Sequence, residues 1–248
     1  MNNRFSMSRV MMVARYFGPR ISWQIKFYPL VSLGIFALAA LMRSAGAPLL
    51  SSGLTGMLQY LVLFGPIVLA TRNDYEMVTT LPARASEKGL FAILYSLVLL
   101  PLLAYGPIYL ASLLCYGTID PDSAASDELS FMTGHMGLFL LFSFVSAAAG
   151  ILTSLWAVAG SGRRRILKGI IWPIVLNFVV GMFVGAYTAV AAISTVSTSP
   201  RIHRRGVVNY EAIGDAVAQI LPALIIILSV YSLFAMWRII RAYSRRQA

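Results

Sequence analysis

Residues 134–159 read GHMGLFLLFSFVSAAAGILTSLWAVA, and this stretch decides the class of protein. It contains no Asp, Glu, Lys or Arg, and it lacks the strict apolar–polar alternation of a half-buried strand. About 20 mostly apolar residues are enough to cross the hydrocarbon core of a bilayer as a helix. Because lipid offers no hydrogen-bond partners, a spanning segment must satisfy its own backbone, which a helix does. The stretch therefore predicts a transmembrane helix.

Stretches of the same kind lie on both sides of it. Apolar residues make up 58% of the 248 residues, and charged residues only 12%. The six predicted spans are 27–46, 54–71, 89–114, 134–159, 166–195 and 217–237. Little of the chain is left for a soluble domain. We therefore predict an all-α polytopic membrane protein in which residues 1–248 form a single transmembrane domain.

The Lys and Arg residues are divided unequally between the two ends of these spans. Sixteen of the 20 lie near the termini, or in the connections between spans 2 and 3 and between spans 4 and 5. Since cytoplasmic loops of membrane proteins are enriched in Lys and Arg, both termini are predicted to be cytoplasmic. The formal net charge of +11 is then a topology signal, and we infer no nucleic-acid binding from it.

The first 26 residues mix apolar and basic side chains ahead of span 1. They are compatible with a helix as far as Gly18-Pro19, where we expect the helix to break. Such a segment is typical of an amphipathic helix lying in the cytoplasmic interface of the membrane, with the bilayer as its partner. The alternative is an ordinary solvated tail.

The connection between spans 5 and 6 carries basic residues on the side that otherwise has few. Arg201, Arg204 and Arg205 could contact anionic head groups or an anionic substrate, or they could simply be solvated. Apolar residues recur at helical spacing over 209–221. This pattern predicts a short extracellular helix before span 6, stopped or kinked at Pro222.

The predicted spans lack the groups that ion-coupled carriers and membrane enzymes need. No Asp, Glu, Lys or Arg lies in the middle of any span, whereas proton relays and voltage sensors place ionisable groups there. We assign no catalytic residues and no metal site, and no G-x-x-x-x-G-K-[ST] phosphate loop occurs. We therefore expect no enzyme activity and no cofactor in this chain. A transporter of this kind needs an ATPase supplied by another chain.

Residues 73–88 form the most structured of the predicted cytoplasmic loops. Asn73 followed three residues later by Glu76 suits a helix start, and Pro82 must interrupt that helix or open another. The loop also carries apolar residues that a groove on a partner would bury, or that would otherwise dip into the membrane interface. The residues assigned to contact with an ATPase are Asp74, Tyr75, Glu76, Met77, Val78, Leu81, Arg84 and Glu87.

Six spans with cytoplasmic termini, the basic lead-in and a Glu-x4-Leu-Pro-x4-Glu-Lys loop before span 3 resemble the ABC-2 type permeases, the membrane subunits of bacterial ABC exporters. The resemblance covers nearly the whole chain and is mostly topological. It implies that Asp74 to Leu81 form a coupling helix, which fits a groove on a separate ABC ATPase that holds ATP and Mg²⁺. It also implies a multi-pass protein of the bacterial cytoplasmic membrane. Such a protein would export a lipid-like, drug-like or peptide substrate together with a second copy or a homologous permease.

Span 5 carries small residues on one face. Gly181, Gly185 and Ala189 follow one another at four-residue spacing, which lets two helix backbones approach closely. They predict a subunit interface, with an intramolecular contact as the alternative. Two other classes of protein also stay open: a non-transporting membrane subunit of an assembly or sensing complex, and a membrane-embedded enzyme. A co-purifying ATPase would favour the permease over both.

Overall fold

The computed structural model describes residues 5–45, 57–69, 83–116, 136–160, 164–198 and 210–245. These residues are almost wholly helical, and no strand occurs among them. The helices are α1, Met7–Ser44; α2, Met57–Leu69, whose last turn Gly65–Leu69 is a 3₁₀-helix; α3, which joins Ala85–Leu94, a π-helical Tyr95–Leu99 and Leu100–Tyr116; α4, Met136–Ala159; α5, Arg165–Thr198; and α6, Tyr210–Arg245.

Five of these helices are long and apolar enough to cross a membrane, and α2 is a shorter apolar helix. Predicted spans 3, 4 and 5 fall on α3, α4 and α5, each of which extends to or beyond at least one predicted end. The prediction of an all-α chain with several helices of membrane-spanning length is thus confirmed over the described residues.

Helix α4 is the centre of the bundle. It packs against α2, α5 and α6 and touches the start of α3. Every residue from Ala149 to Leu155 is buried, because neighbouring helices cover α4 on several sides. An apolar helix surrounded in this way needs no polar face. This explains why residues 149–155 contain no charge.

One end of the bundle gathers the start of α3, the end of α6 and the beginning of α1. Arg9 bonds to Glu87, and a Cβ built on Gly89 would lie 3.2 Å from Cγ1 of Ile240. The end of α4 lies there too, since Trp156 packs edge-on against Phe234 three turns before α6 ends. The described starts of α1 and α3 and the described ends of α4 and α6 therefore meet at one end of the bundle.

The expected helix break at Gly18-Pro19 is wrong, because α1 runs from Met7 to Ser44 without interruption. Proline in a helix interior costs about 3 kcal/mol. Burial of flanking side chains offsets that cost: Phe17 is 1% exposed and Ile21 is 6% exposed. The lead-in is therefore continuous with span 1, and one face of it belongs to the core.

The expected separate helix before span 6 is also absent. Residues 210–221 are the first turns of α6, which continues through Pro222. Leu221, beside the proline, is fully buried with Val217 in a cluster that includes Phe139 and Phe142 of α4. Packing against α4 thus stabilises the helical turns on the N-terminal side of Pro222.

Candidate functional site: the base of α3 and the polar crossing

The first turn of α3 holds a buried carboxylate. Glu87 has no exposed surface, and its Oε1 lies 2.8 Å from Nη2 of Arg9 while its Oε2 lies 2.9 Å from Nε of Arg9. The backbone N–H of Ser6 donates to Oε1 at 2.9 Å. The backbone N–H of Arg84 donates to Oε2 at 2.9 Å. We call these four residues the Glu87 clasp.

The local sequence explains why Glu87 occupies this place. Arg84 is the N-cap of α3 and Glu87 its third helical residue, so the side chain reaches back to an N–H that has no partner within the helix. A negative charge in the first turn also suits the helix dipole. Arg9 then adds a two-pronged ion pair from α1, which is the strong geometry for arginine and carboxylate.

These donors favour the charged form of the carboxylate. Arg9 supplies the opposite charge at hydrogen-bond distance, and two backbone N–H groups donate to the same carboxylate. Together these partners offset the cost of burying the charge.

The turns of α3 that follow the clasp pack against α1 and α6. The rings of Phe17 and Phe91 stack with centroids 5.6 Å apart. A Cβ on Gly89 would meet Cγ1 of Ile240 at 3.2 Å and Cδ2 of Tyr243 at 3.7 Å, so α3 and α6 are in close contact there. A displacement of the segment before α3 would consequently be passed to α1 and to α6.

The structure locates only part of the sequence-predicted site. Arg84 and Glu87 lie in the clasp, where the Glu87 carboxylate is bound by Arg9 and has no exposed surface. The other assigned coupling residues and the basic residues between spans 5 and 6 lie outside the described residues; they are Asp74, Tyr75, Glu76, Met77, Val78, Leu81, Arg201, Arg204 and Arg205. Their assignments stay predictions.

A second polar cluster, here called the polar crossing, joins α1, α2 and α3. Gln24 is 1% exposed, and its Nε2 donates to the carbonyl oxygen of Gly65 and to Oη of Tyr28, both at 3.0 Å. Tyr28 Oη donates to the carbonyl oxygen of Leu61 at 3.0 Å. Tyr95 Oη donates to Oε1 of Gln24. Every functional atom of the glutamine side chain thus has a partner.

The polar crossing sits where two helices leave α-helical geometry. Gly65 begins the 3₁₀ turn of α2, and Tyr95 begins the π-helical segment of α3. Such segments often mark hinges or functional sites. The sequence patterns did not indicate Gln24, because it lies in the lead-in before span 1. The signal was present in the helical spacing of the positions that are buried on this face of α1, namely Val10, Val13, Phe17, Ile21, Gln24 and Tyr28.

The small residues of α5 lie on the exposed surface of the bundle. Gly181, Gly185 and Ala189 are exposed, and a Cβ added at either glycine would meet nothing within 4 Å. Among the described residues, then, the two glycines make no intramolecular helix contact. The close contacts between helices use other glycines: a Cβ on Gly150 would lie 2.5 Å from Cδ1 of Leu63.

A groove of about 460 Å³ lies between α2 and α5, beside this glycine face. Its lining is apolar except for the side chains of Tyr60 and Asn177, and Gly181 forms part of its edge. Asn177 Nδ2 donates to the carbonyl oxygen of Pro173 at 2.8 Å. The groove can therefore accept an apolar or amphipathic molecule, or an acyl chain.

Within the described parts of the chain, no three His, Cys, Asp or Glu residues lie close enough together to hold a metal ion. Comparison with family models, with curated proteins and with solved structures finds no match to this chain.

Proposed function

We propose that this chain is the permease subunit of an ATP-driven exporter of the ABC-2 type, energised by a separate ATPase chain in the bacterial cytoplasmic membrane. The observation that carries the proposal is the Glu87 clasp. The loop assigned to the ATPase leads directly into the first turn of α3. That turn is bonded to α1 through Glu87 and Arg9, and the next turn contacts α6 at Gly89. A force applied to the loop would therefore be transmitted to α1, α3 and α6.

The glycine face of α5 supports a second permease in the same proposal. A second copy or a homologous permease docked on Gly181, Gly185 and Ala189 would bring two backbones close together, with van der Waals packing as the driving force. It would also cover the open side of the groove between α2 and α5. A lipid-like, drug-like or peptide substrate would then bind between subunits.

Docking of the ATPase is tested by replacing Tyr75, Met77 and Val78 with Ser. We expect the ATPase to stop co-purifying in mild detergent, since buried apolar anchors dominate the lifetime of a complex. The matched control replaces Met11 and Met12, two exposed apolar residues of α1 near the same end of the bundle, with Ser. A triple variant that still retains the ATPase, with unchanged ATP turnover, would refute this loop as the coupling element and favour a non-transporting subunit.

Transmission is separable from docking. Glu87→Gln removes the charge that Arg9 binds but leaves residues 74–81 intact. We expect the ATPase to remain bound while transport is lost, and Arg9→Gln to have the same effect. Because both changes remove the same interaction, the double variant should lose no more transport than either single variant. Additive losses would show that the two residues act separately.

The subunit interface is tested by Gly181→Leu combined with Gly185→Leu. The monomer has space for both side chains, so we expect it to stay folded while the oligomer dissociates in detergent. An oligomer that survives both substitutions would place the interface elsewhere.

Orientation is tested by cysteine labelling on intact cells. Cys115 is exposed and must first be replaced by Ser. An impermeant thiol reagent should then label a cysteine introduced at Ser126 and spare one at Ser161. The reverse pattern would place both termini outside.

A further inference from the structure

Two arginines near the end of α6 are stacked on a row of aromatic rings. The guanidinium of Arg238 lies 5.2 Å from the ring centroid of Trp156 and 5.9 Å from that of Phe234. The guanidinium of Arg241 lies 5.1 Å from the ring of Trp237. Phe234 contacts both tryptophans, with ring centroids 6.0 Å from Trp156 and 5.8 Å from Trp237. We call these five residues the arginine shelf.

The shelf has no carboxylate to neutralise it among the described side chains. Only two acidic side chains are described, Glu87 and Asp215. Glu87 is taken by Arg9. Asp215 lies in the first turns of α6, about 35 Å along the helix from Arg238 at 1.5 Å per residue. Among the described side chains, the two guanidinium groups therefore have no acidic counter-charge.

The chemistry of the shelf suits a phosphate group. A guanidinium stacked on a ring keeps its N–H donors in the plane, where they can bond two phosphate oxygens at once. Stacking also restricts the side chain before any ligand arrives, so less conformational entropy is lost on binding. Tryptophan and arginine together are typical of the level of lipid head groups at a membrane surface.

The surface beside the shelf suits acyl chains and so distinguishes a lipid from a soluble phosphate. Val230, Leu233, Trp237 and Arg241 follow one another at helical spacing on one face of α6. The first three are 61%, 67% and 50% exposed. An apolar stripe thus leads directly to the guanidinium groups. This arrangement fits a molecule with hydrocarbon at one end and phosphate at the other.

We propose that the arginine shelf is a binding site for an anionic phospholipid, with the phosphate held by Arg238 and Arg241 and an acyl chain lying along Val230 and Leu233. The proposal does not depend on the transport function. It requires only that this end of α6 meets the polar surface of a membrane.

The test measures binding of single lipids to the purified full chain by native mass spectrometry in a neutral detergent. The probes are dioleoyl phosphatidylglycerol, dioleoyl phosphatidylcholine and inorganic phosphate. In detergent no anionic membrane surface attracts basic residues diffusely, so only a built site distinguishes the lipids. We expect wild-type protein to prefer phosphatidylglycerol, and inorganic phosphate not to displace it.

Arg238→Gln with Arg241→Gln should weaken phosphatidylglycerol binding about tenfold, since each basic residue near anionic head groups contributes about fivefold or somewhat less. Phosphatidylcholine binding should not change. The matched control is Arg164→Gln with Lys168→Gln, which removes two exposed charges at the same end of the bundle without touching the shelf. We expect it to change binding by less than about twofold.

Equal losses of phosphatidylglycerol binding in the two double variants would overturn the proposal. They would show that basic residues attract the lipid generally, without a specific site. Absence of lipid preference in the wild type, or displacement by inorganic phosphate, would also overturn it. If the double variant does not fold, Arg241→Gln alone replaces it. Arg241 is exposed on the bundle surface, and its loss should weaken phosphatidylglycerol binding about threefold.

Discussion

At the polar crossing, Gln24, Tyr28 and Tyr95 are joined by hydrogen bonds, reach backbone carbonyls and have almost no exposed surface. On α5, by contrast, three small residues are exposed, and no described residue lies within 4 Å of a Cβ added at either glycine. Both regions lie in apolar helices. In the crossing, polar groups are tolerated because each one finds a partner inside the chain. On α5, small residues leave a flat surface that none of the described residues covers. The same helical framework thus provides a closed interior on one side and an open face on the other.

The sharpest test of this difference makes the same substitution in both regions. Gly65→Leu should lower the free energy of unfolding by about 3 kcal/mol, since overpacking a tight core costs this much. A Cβ there would lie 2.5 Å from Cδ1 of Leu100, whose side chain is itself fully buried. Unfolding in mixed micelles titrated with dodecyl sulfate measures the change.

Gly185→Leu is the matched control for Gly65→Leu, because nothing lies within 4 Å of a Cβ added there. We expect its effect on the monomer to stay within about 0.5 kcal/mol. Equal losses from the two substitutions would mean that the α5 face is packed in the folded monomer, and the comparison would fail.

The second test removes polarity rather than adding volume. Gln24→Leu should destabilise the protein by about 2 kcal/mol, because it leaves the carbonyl oxygen of Gly65 and the hydroxyl of Tyr95 buried without their partner. Gln59→Leu, on the exposed surface of α2, is the control and should be neutral or slightly stabilising. A neutral result for Gln24→Leu would show that water or lipid reaches the crossing.

The smallest expected effect concerns a single hydrogen bond next to the crossing. Ser32 is fully buried, and its hydroxyl donates to the carbonyl oxygen of Ala104 across α1 and α3. Ser32→Ala should cost about 0.6 kcal/mol, which is the average for such bonds between membrane helices. Ser22→Ala removes only a local bond to Pro19 on the surface of α1 and should have no measurable effect. The difference between the two variants in thermal unfolding decides the matter.

The prediction of long apolar helices depends on neighbouring residues and is confirmed, whereas the predictions that depend on contacts between helices are not. The apolar stretches at 89–114, 134–159 and 166–195 each coincide with one helix, because hydropathy is a property of consecutive residues. The helix break expected at Pro19 does not occur, and α6 does not stop at Pro222, for the opposite reason. Proline locally favours the end of a helix. Phe17 and Leu221 are buried by other helices, and the residues next to each proline in the sequence do not reveal those contacts.

The candidate site likewise combines a contact that is local in the sequence with one that is not. A glutamate three residues after the N-cap could be expected to bond to the backbone of Arg84, and Glu87 does so. Nothing in the linear order indicates that the partner of Glu87 is Arg9, 78 positions earlier. The outward direction of Gly181 and Gly185 was likewise one of two open alternatives until the packing of α5 was known.

The amino-acid sequence by itself determined that this chain is helical, that its helices are apolar enough to cross a membrane, and where the basic residues lie along it. Those properties are sums over neighbouring residues, so a window of about 20 residues contains the information. Only the tertiary structure decided which faces are closed and which are open. It placed Gln24 among polar partners, Glu87 beside Arg9, and the glycines of α5 on the outside. Such pairings depend on how whole helices pack, because two residues far apart in the chain meet only when the elements carrying them are already in contact.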